Sequence, residues 1–163
     1  MPTPITPLGF AHTVSSMLAL CGALVSLART GVIAPQRPSG KIYMGGTALA
    51  ALTALGIYQH GGFGPGHWLA VITLLALGVG ALATWSALFG RFAVLVQTVS
   101  LSATLLFTAI PAVTEVMTRL PPGAPLVTSF ESPELKWAYR VILLLCIVGL
   151  AVQLRGLRRR AKA

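Results

Sequence analysis

Five apolar runs, each broken from the next by a short polar or glycine- and proline-rich stretch, set the pattern of this chain. Their approximate limits are Leu8 to Ala28, Ile42 to Tyr58, Trp68 to Leu88, Phe92 to Thr118 and Trp137 to Leu154. About 20 residues rising about 1.5 Å each cross a hydrocarbon core of roughly 30 Å, so the runs predict transmembrane helices, the second being the shortest. No internal repeat or soluble domain interrupts them, and the longest loop, Leu120 to Lys136, is too small to fold alone. The expected fold is therefore an all-α integral membrane protein, one domain of five transmembrane helices.

Composition agrees with that pattern. Of 163 residues, 55% are hydrophobic and 9% charged, against about 25% charged in an ordinary soluble domain, and the mean hydropathy is +0.82. The balance of 12 Lys and Arg against 3 Asp and Glu raises the question of nucleic acid, but the placement of the basic residues answers it. Several crowd into the terminal RGLRRRAKA, directly after the last apolar run. This is the anchor expected beside anionic lipid on the cytoplasmic side, and nucleic-acid binding is set aside.

The positive residues also orient the expected bundle. With the N-terminus outside and the C-terminus in the cytoplasm, Arg29, Arg37, Lys41, Arg91, Arg155, Arg158, Arg159, Arg160 and Lys162 fall inside. Arg119, Lys136 and Arg140 fall outside, together with Glu115, Glu131 and Glu134. Arg29 follows the first run instead of preceding it, the wrong polarity for a cleaved signal, so the first helix is expected to be retained. Localisation to the inner membrane, as a multi-pass protein, follows from this reading.

Small residues indicate how helices meet in lipid. Gly46, Ala50 and Ala54 recur at i, i+4 on the second helix, as do Ala76, Gly80 and Thr84 on the third, and these faces are expected to pack together. Pro111 is expected to kink the fourth helix.

The only concentration of potential ligand chemistry lies in the outer half. His60 and His67 frame the glycine-rich tip YQHGGFGPGHW, His12 lies about one turn into the first helix, and Glu115 ends up in the same layer. Imidazoles suit a transition metal or haem, and a carboxylate suits a mixed site or a proton relay. His12, His60, His67 and Glu115 are the candidate cofactor-binding residues, with the three histidines as candidate metal ligands. Each has a plainer reading: interfacial solvation for His60 and His67, a hydrogen bond to a neighbouring helix for His12, and an i, i+4 pair with Arg119 for Glu115. Cys21 and Cys146 stand apart without a CxxC motif, and Gln97 and Gln153 line a path or each make one interhelical bond. Ser132 followed by Pro133 offers a start for the fifth helix.

GKIYMGG before the second helix, the GGFGPGHWLAVITLLALG hairpin and TEVMTRLPPGAP after the fourth together resemble a bacterial family of predicted small multi-span membrane proteins of unknown function. Its members carry an HR-x-x-G-[RK]-[VI]-Y segment, and here QRPSGKIY puts Gln36 where the histidine would stand. The resemblance implies a membrane bundle but no reaction. A looser similarity to small b-type cytochrome bundles implies haem b held by His12 with His67 or His60.

Two functions follow as expectations. In the first, the outward His/Glu site binds a metal ion, haem or a protonatable small molecule. In the alternative, the chain is a noncatalytic accessory subunit that binds another membrane protein or a second copy of itself. An enzyme acting on lipid or quinone would need a nucleophile or redox centre, and none is identifiable.

Overall fold

A computed structural model describes residues 6–58 and 62–161. Among the described residues the regular structure is helical: α1 (Pro7–Thr30), α2 (Pro38–Ala54), α3 (Pro65–Trp85), α4 (Ala93–Arg119) and α5 (Pro133–Arg160), with a 3₁₀ turn at Gly90–Phe92. Four of these helices, α1, α3, α4 with its leading turn, and α5, are long and apolar enough to cross a membrane. The 17 residues of α2 put it at the short end of the roughly 17–25 that a span needs.

Proline sets most of the starts. Pro7, Pro38, Pro65 and Pro133 each open a helix, where the ring supplies a helical φ and its missing N–H costs no bond. Thr6 Oγ1 accepts from the Gly9 amide and Ser132 Oγ from the Leu135 amide, capping α1 and α5. These starts shift the expected limits. The second helix runs from Pro38 to Ala54 instead of Ile42 to Tyr58, because proline fixes its start and a turn at Leu55–Gly56 ends it. The third likewise begins at Pro65 and stops at Trp85, and the fifth extends through Pro133–Arg160. Helix α4 continues through Pro111 as one element.

Neighbouring helices run antiparallel. Gly22 approaches Ser39 and Tyr43 while Gly46 approaches Ser15 and Ala19, so α1 and α2 lie backbone against backbone. The small face of α2 thus meets α1, not α3 as expected, because α1 presents its own buried stripe of Ala19, Gly22, Ala23 and Ser26. The small face of α3 meets α4: Gly80 lies under Leu101, and Thr84 Oγ1 donates to Gln97 Oε1 at 3.2 Å.

Helix α4 joins the others through polar contacts. Tyr43 of α2 reaches Leu101 O at 3.0 Å and Thr104 Oγ1 at 2.6 Å. Gln97 Nε2 donates to Ile33 O in the α1–α2 link at 3.3 Å. On α5, Gln153 Nε2 donates to Ser102 Oγ at 3.1 Å, and Tyr139 Oη lies 2.7 Å from Thr114 Oγ1. In a low-dielectric bundle such bonds fix register as well as proximity. They also place Gln97 and Gln153 in interhelical bonding, one of their two sequence readings.

Candidate functional site

Helix alternation gathers His12, His67 and Glu115 at one end of the bundle, but each has a partner of its own. His60 lies outside the described residues. Among the described residues no three His, Cys, Asp or Glu side chains converge in a metal-holding group.

His12 is half-buried, with Nδ1 2.8 Å from Ala50 O and 3.3 Å from Thr53 Oγ1. The carbonyl can only accept, so the neutral ring carries its proton on Nδ1 and donates it to α2. Nε2 is left with its lone pair. Imidazole ligands commonly have this arrangement, one nitrogen oriented by a carbonyl and the other basic.

His67 has the opposite tautomer. It is buried in the first turn of α3, where its Nδ1 accepts from the Gly64 amide at 3.1 Å. That nitrogen therefore holds a lone pair, and the neutral ring's proton sits on Nε2, which is buried and without a partner among the described residues. The ring is stacked on Phe63 at a centroid distance of 4.9 Å and tilted against Tyr58 at 4.6 Å. Ligation through Nε2 would require a proton on Nδ1 and hence loss of the Gly64 bond. His67 is built as a cap for α3, with aromatic neighbours holding its ring. Nitrogen-15 spectra are expected to show a protonated Nδ1 for His12 and a protonated Nε2 for His67 at a pH where both rings are neutral. The same tautomer in both would overturn this assignment.

Glu115 is exposed and pairs with Arg119 one turn on. Its plainer sequence reading describes this contact. Nearby, Lys136 Nζ donates to Glu131 Oε2 at 2.6 Å. That hydrogen bond, reinforced by the ammonium charge, holds the Glu131 carboxyl below the usual carboxylate range. The pair's contribution is present at neutral pH and is lost as pH falls through the lowered pKa. Because Glu131 is exposed, little stability depends on it. Its carboxyl is expected to titrate below the ordinary range and to return to it in Lys136→Met, as read by carbon-13 shifts; an unchanged midpoint would show that Lys136 does not act on it.

Other polar groups lie deeper in the bundle. Tyr43, Thr98 and Thr104 are almost fully buried, and Gln97, Ser102 and Gln153 nearly so. The signal available for Tyr43 was its isolation, one phenol in the small-residue run GKIYMGGTALA, where such a ring needs a partner for its hydroxyl. Cys21 and Cys146 are free thiols on different helices.

The chain matches no family model, no curated protein and no solved structure.

Proposed function

We propose that the protein is a multi-pass inner-membrane protein, N-terminus outside and C-terminus in the cytoplasm, that serves as a noncatalytic accessory subunit docking another helical membrane protein through α5. One observation carries this reading. Of all the residues of α5, only Leu135 and Gln153 are buried, while Val141, Leu144, Leu145, Val148 and Val152 stand about half or more exposed. The buried polar groups meanwhile tie the bundle to itself, and His12, His67 and Glu115 each have an intramolecular use. A helix held along one edge, with its remaining apolar surface free, is suited to packing against a partner helix.

A photo-crosslinker at Val148, in native membranes, tests this against the same group at Leu24 on α1. The expected result is one discrete protein adduct from Val148, diminished by Leu144→Trp, and none from Leu24. Lipid adducts alone from both positions would overturn it.

The basic Nε2 of His12 favours a second reading, an outer metal or haem site with His12 as its first ligand. An absorption spectrum and elemental analysis of wild type beside His12→Ala tests it: stoichiometric haem or metal lost in the variant supports the site, and an empty wild type after addition of both removes it.

A further inference from the structure

At the end of the bundle opposite the histidines, a groove of about 330 Å³ runs between α1 and α2. Cys21, Val25 and Ile42 form its walls, and Arg29 and Ser39 stand at its mouth. Its floor is Gly22, where the α2 backbone comes so near that an added Cβ would sit 2.7 Å from Ser39 O. The missing side chain lets α1 and α2 close on each other at the base of the furrow.

Charge completes the description. Arg29 is exposed, and the carboxylates of Glu115, Glu131 and Glu134 belong to the other end of the molecule. Arg160 donates to Thr30 O at 3.0 Å, bringing the basic end of α5 beside the same mouth, with Arg37 and Lys41 nearby in sequence. An alkyl-walled furrow thus ends at cations that no carboxylate side chain among the described residues neutralises.

We propose that this groove binds one anionic phospholipid, an acyl chain along Cys21, Val25 and Ile42 and the phosphate on Arg29 with the Ser39 hydroxyl. A phosphodiester above a hydrocarbon chain matches both parts in their order along the bilayer normal. The inference rests on the chain lying in a bilayer, and it is independent of any docking through α5, which the Val148 crosslink reads separately.

The test is native mass spectrometry of the full chain in mild detergent, titrated with phosphatidylglycerol or phosphatidylcholine of identical chains. Wild type is expected to retain one phosphatidylglycerol with a preference of about fivefold, the size of effect one basic residue near anionic lipid supplies. Arg29→Gln is expected to abolish the preference, and Arg158→Gln, which leaves the groove intact, to keep it. Val25→Trp, filling the furrow, is expected to lose retention while circular dichroism and gel filtration confirm folding. A preference unchanged in Arg29→Gln, retention unchanged in Val25→Trp, or displacement by glycerol 3-phosphate at equal concentration would each overturn the proposal, the last by showing capture of a headgroup alone.

Discussion

Replacing Gly46 with alanine is expected to destabilise the bundle, whereas the same change at its neighbour Gly45 is expected to be neutral or slightly stabilising. A Cβ at Gly46 would lie 2.8 Å from Ser15 O and 2.9 Å from Ala19 N. Both are backbone atoms of α1, so neither can rotate away, and the helices must separate. Overpacking of this kind costs about 1–3 kcal/mol, set against a gain of up to about 1 kcal/mol for removing glycine from a helix interior. The clash wins at Gly46. At Gly45 nothing lies within 4 Å, so only the gain remains. Separation also strips dispersion contacts along the whole α1–α2 seam, which lipid chains refill only in part. Gly46→Leu should therefore be worse than Gly46→Ala, and Gly45→Leu should not. Unfolding by sodium dodecyl sulfate, followed by circular dichroism, measures all four; equal midpoints for Gly45→Ala and Gly46→Ala would show that α1 and α2 do not meet there.

That pair also shows where the sequence was legible. A run such as LLALGVGALA announces a helix through apolar length alone, and all five helices follow that signal. Their limits depended on something shorter, the dipeptides Thr6-Pro7, Arg37-Pro38, Gly64-Pro65 and Ser132-Pro133, of which hydropathy takes no account. Small-residue spacing marked the faces of α2 and α3 that allow close approach, but spacing on one helix does not name its partner. Three helices carry such stripes, and the pairing of Gly46 with Ser15 and Ala19 was decided by the third stripe, on α1.

The candidate site was legible to a similar depth. Alternating helices were enough to put His12, His67 and Glu115 at one end. What each ring does depended on a single carbonyl or amide within about 3 Å, Ala50 O for His12 and the Gly64 N–H for His67. A one-dimensional pattern does not encode such contacts, because a ring that donates and one that accepts are the same letter.

The bond between α4 and α5 leads to a prediction in which its two ends are unequal. Gln153 Nε2 donates to Ser102 Oγ, while the buried Gln153 Oε1 has no partner among the described residues. Ser102→Ala removes the acceptor and leaves the whole buried amide unpaired, a cost of about 1–3 kcal/mol for the stranded group. Gln153→Leu breaks the same bond but also deletes the orphaned oxygen, and Ser102 can turn its hydroxyl to its own helix, as Thr98 does with Val94 O. Its cost is expected to be small, near the average of about 0.6 kcal/mol for interhelical bonds in membranes. The double variant should then be more stable than Ser102→Ala alone, since the leucine removes the stranded amide. Cys146, which borders the α4–α5 groove with Ser102, reports the local opening directly. With Cys21 replaced by alanine, maleimide labelling of Cys146 is expected to accelerate about 5- to 150-fold in Ser102→Ala and to fall back in the double variant. Equal rates in the two single variants would mean that the amide is not confined between these helices. Because α5 is otherwise buried only at Leu135, a loosened Gln153 contact should also reduce the Val148 crosslink, so the inner seam of this helix governs how firmly its outer face is presented.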